Sequence, residues 1–191
     1  LSSYRADQKF PHEEARLLDL CLLVHADHGG GNCSTFTTRV LSSSGTDTYA
    51  AISAAIGALK GPKHGGANLK VMHQLDYILA NVEHPEDDGE VREMLRKIIR
   101  KEAGDGSGLI YGMGHAVYTL SDPRAQILKN HARSLAYKKG YDEEYNMLCS
   151  IERLAPEIFA EEKHGPKKVC ANVDLFSGLI YRMLGISEDL Y

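Results

Sequence analysis

Apolar residues recur at three- and four-residue intervals over most of the chain, and the runs are separated by glycine-rich polar breaks. Between His64 and Val82, the residues Leu69, Met72, Leu75, Ile78, Leu79 and Val82 share one face, the spacing of an amphipathic helix. The same spacing predicts helices over 12–24, 33–44 and 46–59. It predicts others around Val91 to Ile99, over Pro123 to Lys139, around Leu148 to Phe159, and over Asp174 to Leu184. No stretch alternates apolar and polar residues as a half-buried strand does, and no hairpin signal is present. The expected fold is all-α, with about eight helices. Punctuation agrees: Gly61-Pro62 stops one helix, Asp122 is an N-cap followed by Pro123 at the first turn, and Gly140 closes that helix. The 12–24 segment is apolar on most sides, which suits a helix buried in something larger than itself. The 46–59 segment is rich in alanine (Ala50, Ala51, Ala54, Ala55, Ala58) and is expected to pack closely in the core.

Composition narrows the class. With 191 residues, 43% hydrophobic and 25% charged, the chain is globular and long enough for one domain with a core or two small lobes. A net charge of -4 supplies no basic field for nucleic acid. The longest apolar run, Leu17 to Val24, is interrupted by Asp19 and is too short to span a membrane. Cys21, Cys33, Cys149 and Cys170 lack any C-x-x-C pairing. They read as reduced core thiols of a cytoplasmic protein. The chain begins at Leu1 without a methionine and stops at Tyr191 soon after an apolar run, and so reads as a fragment.

Candidate chemistry gathers in the breaks. Gly108-Leu-Ile-Tyr-Gly-Met-Gly-His-Ala-Val-Tyr-Thr-Leu-Ser-Asp-Pro-Arg124 places His115 beside Gly112 and Gly114. These glycines let another molecule approach the backbone, and His115 is a proton donor that works near neutral pH. His64, expected at a helix N-terminus, sits where the partial positive charge favours a neutral imidazole able to donate to a carbonyl oxygen. The commoner role for such a histidine is a cap or a polar filler. Asp174 is either a general base or a helix cap. Arg124 is either a carboxylate clamp, together with the amides of its helix start, or a solvated arginine. Lys163, Lys167 and Lys168 form a small basic patch, for phosphates or for solvent. His25 and His28 flank Asp27 without a further ligand cluster at zinc spacing, so no metal site is expected.

Taken together, His25-Ala-Asp-His-Gly-Gly-Gly-Asn-Cys-Ser34, Gly61-Pro-Lys-His-Gly-Gly-Ala-Asn68, Gly112-Met-Gly-His-Ala-Val-Tyr118 with Asp122-Pro-Arg124, and Asn172-Val-Asp174 with Ser177-Gly178 resemble the citrate synthase family. The resemblance covers nearly the whole chain, with the four motifs in order. It implies an all-α, dimeric acyltransferase of the tricarboxylic acid cycle, with a large and a small domain, condensing acetyl-CoA with oxaloacetate. No permanently bound cofactor is implied, since acetyl-CoA is a co-substrate. Asp174 would remove a methyl proton of the thioester, His64 would donate to the thioester carbonyl, and His115 would donate to the ketone of oxaloacetate. His28 and Arg124 would hold oxaloacetate with Asn32 and Ser34 behind them, Ser34 orienting His64. Gly112 and Gly114 would admit the coenzyme, with Lys167 and Lys168 at its phosphates. The implied division is 1–61 as part of the large domain, 62–175 as the small domain and 176–191 as the return to the large one. The family's further oxaloacetate-binding arginines lie beyond Tyr191, so the isolated fragment is expected to fold without turning over. A 2-methylcitrate synthase acting on propionyl-CoA shares these motifs, as do relatives with citryl-CoA lyase activity. An interaction module that keeps the fold without catalysis is the alternative from another class.

Overall fold

The structure is a computed structural model and describes residues 9–27, 29–61, 64–115, 118, 120–162 and 169–191. Among these there are eight α-helices: α1 (His12–Ala26), α2 (Cys33–Ser43), α3 (Thr48–Leu59), α4 (Ala67–Asn81), α5 (Asp88–Ile99), α6 (Pro123–Lys139), α7 (Asp142–Glu162) and α8 (Asp174–Met183). A 3-10 turn follows at Glu188–Leu190. The only β pairing among the described residues is an isolated antiparallel bridge, Met113 with Ala171. The expected all-α class and helix number both hold.

Helices α4 to α8 build the core. Met72, Leu75 and Ile78 of α4, Leu95 of α5, Leu128 of α6, Leu148, Ile151 and Leu154 of α7 and Phe176 of α8 are all essentially inaccessible. α8 is the most apolar of them: Leu175, Phe176, Leu179, Ile180 and Met183 are buried, and it packs on α4, α6 and α7. α1 leans on α6 and leaves Leu22 and Leu23 exposed. α5 pairs with α7, and an exposed ladder of Arg92 to Glu157, Arg96 to Glu161 and Arg100 to Glu162, at 2.7 to 2.8 Å, runs alongside. Exposed pairs of this kind contribute little; the apolar seam beneath holds the two helices together.

Local signals account for several boundaries. The Asp122 carboxylate accepts the Arg124 amide, Pro123 fills the first turn, and Gly140 (φ 73°) ends α6. Asp47 caps α3 through the Ala50 amide, and Asn32 caps α2 through the Thr35 amide. Three expectations are corrected. α4 starts at Ala67 with Gly66 in the N-cap position, so His64 lies in the turn before the helix rather than within it. α3, expected in the core, packs within this chain chiefly on α2, whose close approach its small residues permit. Ile52, Ile56 and Leu59 remain exposed. Cys33, the first residue of α2 beside its cap, is exposed as well, while Cys21 and Cys170 are buried.

Candidate active site

The loop between α1 and α2 meets the turn before α4 through Ser34. The Ser34 amide donates to His64 Nε2 at 3.1 Å, and Ser34 Oγ lies 3.0 Å from the same nitrogen. Ser34 Oγ is also 3.0 Å from Asn32 Oδ1, the atom that caps α2. Because Nε2 accepts an N–H, the proton of a neutral His64 sits on Nδ1. The turn is held by the His64 amide donating to the Gly61 carbonyl at 2.9 Å. The first turn of α2 thus serves both ends: Asn32 caps the helix and the Ser34 amide sets the tautomer of His64.

A second cluster forms where the glycine loop runs into α6. His115 Nδ1 accepts the Tyr118 amide at 3.0 Å, with the two rings 4.7 Å apart. That acceptor role leaves the ring proton on Nε2. His115 Nε2 stands 3.1 Å from Arg124 Nη2 and 3.7 Å from Asp122 Oδ2. An imidazole nitrogen and a guanidinium N–H thus lie side by side, both next to the Asp122 carboxylate. Arg124 is itself held by the fully buried Asp122 through Nε at 3.1 Å and Nη2 at 2.9 Å, and its Nη1 donates to the Asp27 carbonyl at 3.0 Å. The last bond joins the α1–α2 loop to the start of α6.

Asp174 is brought to the glycine loop by a short ladder. Gly114 N–H donates to the Cys170 carbonyl at 2.7 Å, and Asn172 N–H donates to the Gly112 carbonyl at 2.9 Å. The Asn172 side chain closes both sides: Nδ2 donates to the Gly114 carbonyl at 2.9 Å, and Oδ1 accepts the Asp174 amide at 3.0 Å. Asn172 rather than Asp174 therefore serves this helix start, and Asp174 is the first residue of α8. Gly112 (φ 80°) is tied to the same junction, since a Cβ there would lie 2.8 Å from Leu175 Cδ1. Gly114 (φ 102°) faces open space.

The remaining link joins α4 to α8. Asn68 Nδ2 donates to Ser177 Oγ at 2.8 Å inside the core. The four motifs thus close a circuit of contacts: Ser34 to His64, Asn68 to Ser177, Asn172 to Gly112 and Gly114, and Arg124 back to Asp27. Of the candidates, His64, His115, Asp174, Arg124, Asn32, Ser34, Gly112 and Gly114 all lie on this circuit. His28, Lys167 and Lys168 lie outside the described residues, as does Lys163. Sequence reasoning missed Asp122 as the partner of Arg124, Tyr118 under His115, and the Asn68–Ser177 pair. It also missed Gln74, whose Oε1 accepts the Tyr111 amide at 3.0 Å and so holds the glycine loop on α4. A cavity of about 250 Å³ lies beside that contact, between Lys70, His73 and Tyr77 of α4 and Leu109 and Tyr111 of the loop. Among the described residues one grouping could converge on a metal ion: Glu83, His84 and Glu90, with ligand atoms within 4.8 Å of one another. It lies between the turn after α4 and the first turn of α5, at the opposite end of α4 from His64.

The described residues thus carry two oriented histidines, a carboxylate at a helix start and a half-buried arginine held by a buried carboxylate, a set of groups suited to acid–base chemistry. The family profile "Citrate synthase, C-terminal domain" matches residues 2–191, and the chain belongs to the citrate synthase family. It is 41% identical over 177 residues to a citrate synthase of Synechocystis, covering 93% of this chain and 40% of that protein. It is 42% identical over 178 residues to citrate synthase 2 of Bacillus subtilis, covering 93% and 42%. Among solved structures it is similar to the Thermoplasma acidophilum citrate synthase in ternary complex with carboxymethyl coenzyme A and oxaloacetate. The TM-score is 0.75 at 31% identity, over 94% of this chain and 43% of that one. It is also similar to citryl-CoA lyase from Hydrogenobacter thermophilus, with a TM-score of 0.67 at 25% identity over 96% and 64%. The chain therefore spans about 40% of the length of the two relatives it was aligned with.

Proposed function

We propose that the protein carrying this chain condenses acetyl-CoA with oxaloacetate to give citrate and CoA. The observation that supports this reading best is the closed circuit of contacts that links four sequence-distant motifs, each with a polar or titratable group. The methyl group beside a thioester is so weakly acidic that a carboxylate removes its proton only if the developing oxyanion is stabilised at the same moment. Asp174 takes that proton, and His64, with Nε2 occupied by the Ser34 amide, donates from Nδ1 to the thioester oxygen. The enol carbon attacks the ketone carbon of oxaloacetate. His115 donates from Nε2 to the ketone oxygen, which takes that proton as the carbon–carbon bond forms. Water then hydrolyses the citryl thioester, releasing citrate and CoA. Arg124 and His28 hold the oxaloacetate carboxylates, and Gly114, Lys167 and Lys168 bind the coenzyme, with Gly112 closing the loop onto Leu175 behind them.

Several companion statements belong to this proposal. Residues 62–175 form the small domain, with 1–61 and 176–191 belonging to the large one and α8 carrying the connection. The protein works as a homodimer, as the resemblance to the family implies. A cytoplasmic location is supported by four unpaired cysteines, and no helix among the described residues is long and apolar enough to cross a membrane. The test is thiol release from acetyl-CoA plus oxaloacetate by the full-length protein, run in parallel with propionyl-CoA. The expected result is faster turnover of acetyl-CoA. Asp174→Asn should lower kcat by about 1,000-fold or more while oxaloacetate still binds. Faster turnover of propionyl-CoA would make the protein a 2-methylcitrate synthase, and no turnover of either would leave a non-catalytic module.

A further inference from the structure

We propose that Asn68 and Ser177 form a positioning pair that sets the separation between His64 and the Asp174 carboxylate. This rests on the functional reading above. Asn68 is the second residue of α4, four after His64; Ser177 is the fourth residue of α8, three after Asp174 and on the same face. Both side chains are buried, at 6% and 0% exposure, and one hydrogen bond of 2.8 Å joins them across 109 residues of sequence. Apolar burial is non-directional. A buried amide-to-hydroxyl bond fixes one point on each helix.

The pair is also locked against rotation. Gly178 presents bare backbone to the amide: a Cβ there would fall 2.4 Å from Asn68 Oδ1 and 2.7 Å from Met72 Cγ and Sδ. The amide is wedged flat on α8, and among the described residues its Oδ1 is the one buried side-chain polar atom without a hydrogen-bond partner. A buried oxygen without a partner works against stability, so packing alone gives no reason for a polar residue here. Leucine at 68 and alanine at 177 would fill the same space without that cost. What a hydrogen-bonded pair adds is registry of α4 on α8. The proposed chemistry needs registry, because His64 must stabilise the thioester oxygen at the instant Asp174 removes the methyl proton, and misplacement of either group raises the barrier.

The experiment compares the full-length protein with Asn68→Leu/Ser177→Ala, which removes both partners and keeps the packing, and with Ser177→Ala alone. The expected result is a kcat lower by about 10- to 100-fold, with KM for oxaloacetate within about twofold of the parent and an unchanged melting temperature. A second readout separates positioning from general damage: in an Asp174→Asn background the pair should cost almost nothing further, because the group it positions is gone. If the double variant does not fold, Ser177→Ala carries the same comparison. An unchanged kcat overturns the pairing role. So does a loss that follows the melting temperature and persists without the Asp174 carboxylate. A parent protein without turnover overturns the functional reading itself, and the positioning role falls with it.

Discussion

Asp122 carries much of the site's stability and none of its proposed chemistry. It is fully buried and receives three donors from one residue, the Arg124 amide at 3.0 Å, Nε at 3.1 Å and Nη2 at 2.9 Å. Burial works against its charged form, and the hydrogen bonds from the Arg124 side chain and backbone outweigh it, so the carboxyl titrates below its ordinary range. A depressed folded-state pKa contributes stability that is present above the unfolded value of about 3.9 and is lost as pH falls through the folded value. Asp122→Asn keeps an acceptor for the cap but leaves the half-buried guanidinium without its counter-charge. Loss of about 2 to 4 kcal/mol at pH 7 is expected, read by urea unfolding. The difference from the parent should shrink as pH is lowered below about 4, where Asp122 of the unfolded chain begins to protonate while the folded carboxylate stays charged. Gly112 poses a steric counterpart. Alanine there meets a left-handed φ of 80° and places its Cβ 2.9 Å from Leu175 Cα. Backbone strain of about 1 to 2 kcal/mol adds to overpacking of about 1 to 3 kcal/mol. Gly112→Ala should therefore be more destabilising than Gly114→Ala, whose Cβ enters open space; thermal melts of the two variants make the comparison.

At the scale of elements, α8 against α4 is the contact on which the site depends, and Gly178 tests it. Alanine is favoured over glycine in a helix interior by about 1 kcal/mol. The new Cβ must displace Asn68 and Met72, at about 1 to 3 kcal/mol, so steric crowding is expected to win and Gly178→Ala to lower the melting temperature. A gain in stability would mean that the two helices are free to separate. Sequence pattern reached this level unevenly. α6 was legible from end to end because Asp122, Pro123 and Gly140 are local signals whose physics involves only their neighbours. α7 was legible only from Leu148 onward, since its first turn, Asp142, Glu143 and Glu144, is acidic and shows no apolar period. The Met113–Ala171 bridge is two residues wide, too short to leave an alternation in the sequence. The Asn68–Ser177 bond spans 109 positions, and although both residues lie in the quoted motifs, nothing local pairs one with the other. The acid–base candidates were legible because they sit in glycine-rich breaks. The residues that orient them were not, because orientation is a property of the packed helices.

At the scale of the whole molecule, the α2–α3 pair stands out. The two helices pack chiefly on each other, and Phe36, Val40, Tyr49, Ile52, Ile56 and Leu59 are left between 48% and 88% exposed. Burying a large apolar side chain gains about 1.5 to 3 kcal/mol, so six of them, already partly covered, offer roughly 10 kcal/mol. Association costs about 4 to 15 kcal/mol before any contact is counted. This face is therefore close to break-even by itself and becomes a stable interface only with further surface beside it. In the full-length protein, the proposed homodimer should include this face, and Ile56→Glu should shift sedimentation from dimer toward monomer. Unchanged sedimentation would place the interface elsewhere. The effect should extend to activity. α2 begins at the Asn32 cap and carries Ser34, whose amide fixes His64 Nε2. A helix pair released from its partner can drift, and the tautomer and aim of His64 drift with it. Ile56→Glu should thus lower kcat even though residue 56 touches no substrate, and the loss should lessen at protein concentrations that restore the dimer.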